Sequence, residues 1–291
     1  MGIFLPRRWT RQPQGPVSVD WGHPLARDLE VALVPTPHGY YDAVLGKLVV
    51  FANATLSGYR SEDQSVVLRQ AATSSPIISI PSDWFVPGKP LAISVAFRQL
   101  NYDTAVREVV GNPALNAAGN GDRLAILGSD YGGATSRVRF DIQSNFVGST
   151  SYSPTGSVPQ WAVRLLTLSS KGVGGASVGY VGKVAVVSLT TPTVVNASAN
   201  PALNIYGQNG LWDIGLVLGW SRGVDEGEHR AIEEFRWQIF KPRRRIIYSL
   251  PGSIFTLTDT YQTFDLPIAE ANAANITDYS DIRVRVESIE V

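Results

Sequence analysis

From Val17 to about Phe240, hydrophobic and polar positions alternate with a period of two. Leu91, Ile93, Val95 and Phe97 are separated by Ala92, Ser94, Ala96 and Arg98, and Val138, Phe140 and Ile142 by Arg139 and Asp141. Successive side chains on a strand point to opposite faces, so this pattern predicts strands with one face on a core and one in water. Further short apolar runs fall at 47–51, 123–127, 163–168, 184–189, 203–206 and 216–219. Clusters of Gly, Pro, Asn and Ser separate them, as at Asn112-Pro113 and 172–175. Many short strands joined by turns, without helices between them, predict an all-β antiparallel sandwich or barrel.

One short helix is expected late in the chain. Asp225 followed by Glu228 has the spacing of a capping box, and Ala231, Ile232, Phe235 and Ile239 then recur at helical spacing up to Pro242. Residues 1–16 are rich in Pro, Arg and Gln and have neither period, so they read as an extended arm that buries too little to order itself. Residues 246–291 read as a small C-terminal β segment: a hairpin across Asp259-Thr260, then a strand through Ile282, Val284, Val286 and Ile289. The expected organisation is therefore an arm (1–16), a sandwich (17–245) and a β appendage (246–291).

Composition narrows the chemistry. The chain has 291 residues, no cysteine, three histidines and only 17% charged residues. Disulfides, thiolate nucleophiles and Cys-ligated zinc are thereby excluded. Lys plus Arg and Asp plus Glu balance at 25 each, so no global field draws the chain to nucleic acid or to an anionic membrane. Residues 1–9 contain no secretory hydrophobic region, and no run of about 20 apolar residues occurs. The basic residues are nonetheless concentrated in two places. Arg7, Arg8 and Arg11 flank Trp9, and Arg243, Arg244 and Arg245 follow the helix. Both clusters are candidate subunit contacts, since Trp and Arg anchor protein interfaces, and a homo-oligomer is expected.

Catalytic motifs fail on inspection, and no enzyme is expected. Gly-x-Ser-x-Gly occurs at 175–179 and 219–223, but the only histidine after either serine is His229, inside the expected helix. The Ser-acid-His order on separate loops is not available to Ser221, and a strand rather than a helix follows Ser177. Glu226, Glu228, Glu233 and Glu234 belong to the helix and read as a solvated face. Asp122 and Asp130, in an Asn-rich loop, could hold calcium or serve as ordinary turn residues; otherwise no cofactor is expected. Trp84, Trp161 and Trp212 are candidate sugar-stacking platforms or, alternatively, core and rim residues.

Two flanking motifs resemble a known group. Arg8-Trp9-Thr10-Arg11-Gln12-Pro13-Gln14-Gly15-Pro16-Val17, running into Asp20-Trp21-Gly22-His23-Pro24-Leu25-Ala26, resembles the opening of tailed-bacteriophage proteins that carry a laminin-G-like (concanavalin A-like) jelly-roll domain. The closing motif is similar too: Phe235-Arg236-Trp237-Gln238-Ile239-Phe240, then a basic run. Tyr180-Val181-Gly182-Lys183 is similar to a turn of that family, with Val181 in place of its polar residue. The resemblance covers roughly residues 8–248 and implies a jelly-roll sandwich in a virion protein, assembled in the host cytoplasm among other virion proteins. The function it implies is a structural one, as head decoration or as a small tail or fibre component. A carbohydrate-binding adhesion module that contacts glycans is the alternative.

Overall fold

The computed structural model describes residues 12–13, 17–36, 39–49, 56–60, 66–70, 76–101, 107–112, 123–128, 137–144, 147–190, 202–206 and 212–242. Arg7, Arg8, Trp9 and Arg11, the run Arg243, Arg244 and Arg245, the residues Asp122 and Asp130, and the appendage 246–291 lie outside them. The chain divides into two compact units, residues 1–12 with 18–241 and residues 13–17 with 242–291. The two main sheets and the helix belong to the first.

The described strands, in chain order, begin with β1 (Val17–Val19), β2 (Leu29–Thr36), β3 (Gly39–Asp42), β4 (Lys47–Val49), β5 (Leu56–Arg60) and β6 (Val66–Gln70). Next come β7 (Pro76–Pro81), β8 (Pro90–Gln99), β9 (Arg107–Gly111), β10 (Arg123–Gly128), β11 (Arg139–Ser144) and β12 (Val147–Tyr152). The last are β13 (Val163–Lys171), β14 (Ser177–Val181), β15 (Val184–Leu189), β16 (Ala202–Tyr206), β17 (Trp212–Trp220) and β18 (Phe240–Pro242). One α-helix, α1 (Glu226–Phe235), follows β17.

Two antiparallel sheets form the body. The larger runs β15, β14, β13, β8, β17, β2, β3, β4, with β6 also paired to β17 and β5 to β6; the smaller runs β12, β11, β10, β9, β16, β7. Sequence neighbours are often not sheet neighbours: β8 lies between β13 and β17, and β16 between β9 and β7. The chain therefore crosses repeatedly from one sheet to the other, as in a jelly roll. Between the sheets, Leu33, Val95, Phe97, Leu166 and Val217 from one meet Val110, Leu124, Ile126, Phe140 and Ile205 from the other in one core. Each such side chain contributes about 1.5–3 kcal/mol by leaving water.

Close packing assigns several glycines. A Cβ on Gly219 would stand 2.4 Å from Trp84 Cη2, and one on Gly179 would stand 2.8 Å from Phe140 of the opposite sheet. Both residues belong to the Gly-x-Ser-x-Gly copies, where they admit a neighbouring ring rather than shape a nucleophile turn.

The larger sheet departs from the simple alternation, because its centre is covered on both faces. All of Leu91–Leu100 is buried. The polar residues of its outer face find partners instead of water: Ser94 Oγ lies 2.7 Å from Thr167 Oγ1. Across three strands, Asp213 accepts from Arg69 Nε (2.7 Å) and from Arg98 Nε (2.9 Å), a register-matched ladder with the carboxylate fully buried. Strand β17 breaks register between Ile214 and Val217, where its partner changes from β6 to β2. The Tyr40 hydroxyl lies 3.0 Å from both the Ile214 and Gly215 carbonyl oxygens there.

Segments near both ends of the sandwich sequence are bonded to one another and to the larger sheet. Trp220 Nε1 donates to Leu25 O (2.7 Å), Asp20 N to Ile239 O (2.7 Å), and Val224 N to Ser169 Oγ (2.9 Å). Gln12, at the end of the arm, is buried and donates to Pro35 O (2.6 Å).

The helix is shorter than its apolar spacing predicts. Its capping box is present: Asp225 Oδ1 accepts from Glu228 N (2.8 Å) and Glu228 Oε2 from Asp225 N (3.1 Å). It ends at Phe235, well before Pro242. The chain then tightens through Gln238 N to Phe235 O (2.8 Å) and Phe240 N to Trp237 O (3.2 Å), which buries Trp237, Ile239 and Phe240 together. Ile239 thus lies beyond the helix.

Candidate functional site

The three tryptophans separate cleanly. Trp212 is 1% exposed, packs against Phe97 at 5.7 Å between ring centroids, and donates Nε1–H to Tyr206 O (3.2 Å). Trp84 is also buried, set edge-on to Phe85 and fitted over Gly219. Trp161 differs from both, being 56% exposed with φ at +68°. A bulky L-residue in this left-handed region costs roughly 1–2 kcal/mol.

The loop 153–162 holds that conformation. Trp161 N donates to Gln99 O (2.8 Å), and Gln160 Nε2 to Leu100 O (2.7 Å). At its start Ser153 N donates to Val138 O (2.8 Å), and Ser153 Oγ lies 2.6 Å from Ser157 Oγ. A large flat side chain is therefore carried into solvent by a well-tied loop.

The same loop walls a groove of about 400 Å³, lined by Ser157, Arg164, Val181, Gly182, Lys183, Val184, Val186 and Glu233. Its volume is that of a small-molecule site. Trp161 is three residues from Arg164, so chain geometry keeps it within roughly 11 Å of that wall. The floor is the two-residue turn between β14 and β15, where Val181 pairs with Val184 and Gly182 takes φ +61°. Glycine suits that turn position because no Cβ opposes the left-handed backbone. Val184 is half exposed and gives the groove an apolar side.

Helix α1 supplies the opposite wall and is fixed by His229. The imidazole is fully buried, stacks on Tyr180 at 4.5 Å between centroids, and hydrogen-bonds through Nε2 to Gly182 O. Its Nδ1 is buried without a hydrogen-bond partner. Burial lowers its pKa to about 4, against smaller opposing contributions from the Gly182 bond and the Glu226 charge. The ring is thus neutral at physiological pH.

Glu233, one turn further on, faces the groove with its side chain 14% exposed. Burial pushes its carboxyl above the usual value; Arg236, the Leu165 N–H, Arg164 and Lys183 pull the other way. Arg236 Nη1 is 3.8 Å from Oε2, which has no hydrogen-bond partner. From the sequence, Glu233 reads as part of a solvated face. His229, Ile232, Glu233 and Arg236 instead form the inward stripe at i, i+3, i+4 and i+7. That stripe is hidden in the sequence because three of its four members are polar.

The serines are occupied elsewhere. Ser177 is buried and donates to Ser170 Oγ (3.0 Å). Ser221 donates to Glu30 Oε1 (2.7 Å), while Asp225 caps the helix and His229 faces Gly182. On the smaller sheet, Asp141 is buried and accepts from Arg139 Nε (2.7 Å), and Glu108 bonds the Tyr206 hydroxyl. Among the described residues, no group of three or more His, Cys, Asp or Glu side chains is placed to hold a metal ion. Among them, too, no helix is long and apolar enough to cross a membrane.

No protein-family model and no curated protein sequence matches the chain. Among solved structures, it is similar to the binding domain of Paraclostridial Mosquitocidal Protein 1, with a TM-score of 0.51 at 13% identity over 72% of this chain and 52% of that one. Similarity also extends to Trypanosoma rangeli sialidase with 2,3-difluorosialic acid (TM-score 0.48, 12% identity, 73% of this chain and 33% of that one). A third is the binding domain of botulinum neurotoxin DC in complex with SialylT (TM-score 0.46, 9% identity, 72% and 52%). The chain spans about half the length of the toxin domains and a third of the sialidase. At such identities the likeness defines the fold, an antiparallel β-sandwich, and transfers no residue.

Proposed function

We propose that this chain is a non-catalytic carbohydrate-binding module, built on a jelly-roll sandwich and serving as a component of a bacteriophage virion. Trp161 carries the reading. An exposed indole in a left-handed backbone, fixed by a hydrogen-bonded loop beside a groove of mixed polar and apolar lining, is a stacking platform for a sugar ring. Strain of this kind persists where the surrounding structure imposes it, and it concentrates at ligand clamps. A solved binding domain of the same fold supports the reading as analogy. The sequence motifs flanking the sandwich support the virion setting, with the arm and the C-terminal segment as assembly contacts.

A glycan array probed with the full chain, with and without chelator, tests the binding role and any use of calcium. Wild-type protein should retain a defined set of glycans, and Trp161→Ala should lose them while keeping its thermal midpoint within a few degrees. Retention of the same glycans by Trp161→Ala would overturn the site. Deleting residues 2–14 tests the virion role: the sandwich should fold, and incorporation into particles should fail.

A further inference from the structure

We infer that the groove selects a carboxylate-bearing sugar, a sialic or uronic acid, with Arg164 as the anchor for its carboxylate; this rests on the carbohydrate-binding reading above. The argument is one of charge and unused donors. Two cations, Arg164 and Lys183, line the groove against one carboxylate, Glu233, so its lining carries an excess positive charge. That carboxylate lies beside a third cation outside the lining, Arg236. Lys183 is 3.9 Å from Glu234, but both side chains are more than half exposed, so a ligand anion competes readily for this weak pair.

Arg164 is the distinctive group. It sits near the start of β13, partly buried, and its hydrogen bond in the structure is Nη1 to its own Val163 O (3.2 Å). A guanidinium carries five N–H donors in a planar fork that matches a carboxylate with two parallel bonds. Most of that fork remains to be satisfied. Glu233 complements it, because the same groove is lined by this carboxyl group, which can accept from sugar hydroxyls. Val184 and Val186 offer an apolar surface to the ring face. The groove therefore presents donors for one negative group, an acceptor for hydroxyls and a hydrophobic side.

The test compares matched probes by titration calorimetry on the full chain: sialyllactose against lactose, oligogalacturonate against a neutral oligosaccharide, and sulfated lactose as a different anion. The wild-type protein should bind the carboxylate-bearing member of each pair at least about tenfold more tightly, since charge-assisted hydrogen bonds are roughly twice as strong as neutral ones. That preference should shrink as salt rises from about 0.05 to 0.5 M. Arg164→Gln should erase it with the thermal midpoint unchanged, and Arg164→Lys should restore part of it, lacking the fork. Equal binding of acidic and neutral probes, or an unchanged preference in Arg164→Gln, would overturn the inference and leave carbohydrate binding standing. Sulfated lactose bound as tightly as sialyllactose, with the same dependence on Arg164, would overturn the carboxylate assignment. Failure of the wild-type protein to bind any of these sugars would overturn both readings.

Discussion

Lowering the pH from 7 to 4 should weaken the fold by about 3 kcal/mol through His229 alone. The ring is fully buried against Tyr180, its Nδ1 has no hydrogen-bond partner, and its pKa falls from an ordinary 6.5 to about 4. Because the native state disfavours the proton, the unfolded chain protonates first. Stability is therefore full above about pH 6.5, falls by up to about 1.4 kcal/mol per pH unit below it, and levels off near pH 4. Glu233 acts with the opposite sign, since its raised pKa makes the folded state take up a proton more readily as the pH falls. The two groups lie one helical turn apart, so the comparison belongs in a Glu233→Gln background, with and without His229→Phe. Phenylalanine keeps a ring on Tyr180 and gives up the bond to Gly182, a loss of about 1 kcal/mol at pH 7. Urea unfolding followed by tryptophan fluorescence at half-unit intervals of pH reads the difference between the two proteins. It should shrink by about 3 kcal/mol from pH 7 to 4 and change sign on the way. A difference constant within about 0.5 kcal/mol across that range would refute the neutral buried imidazole.

Three further outcomes rest on packing, backbone and charge. Gly219→Ala sets a methyl 2.4 Å from Trp84 and 2.7 Å from Val31 Cγ1, and should cost about 1–3 kcal/mol by overpacking. Gly156→Ala, with φ +79° and nothing within 4 Å of the new methyl, should cost only about 1 kcal/mol; calorimetric melting ranks the pair. Trp161→Gly should be more stable than Trp161→Ala by about 1 kcal/mol, because only the former relieves the +68° backbone, and chemical denaturation measures the gap. Asp213→Ala removes the fully buried carboxylate that accepts from both Arg69 and Arg98, and should cost about 3–5 kcal/mol in the same assay.

Local patterns make much of the sandwich legible. The alternation through Val138, Phe140 and Ile142 puts these three in the core, and the apolar runs at 163–168 and 184–189 fall in β13 and β15. The Asp225 and Glu228 capping box is a contact between neighbours in the chain, so its spacing suffices to place the helix start. The failure of the hydrolase motifs is legible from the same local information. The structure adds a reason for two of their glycines, the approach of Trp84 to Gly219 and of Phe140 to Gly179.

Sequence alone determined the more regular strands such as β8, β11, β13 and β15, the capped start of the helix and the absence of cysteine chemistry, because each depends on residues a few positions apart. Tertiary structure alone decided which polar residues leave water and which aromatic meets it. Ser94 and Arg98 read as a solvated face, yet they are buried, bonded to Thr167 and Asp213 of the neighbouring strands. Trp84, Trp161 and Trp212 are indistinguishable by composition, and only the pairing of distant strands makes two of them core and displays the third. The groove joins residues near 157, 164, 183 and 233, brought together by β13, by the turn between β14 and β15, and by a helix bonded to that turn through His229 and Arg230. No local pattern encodes such a meeting, because its energy comes from burial and register between segments far apart in the chain.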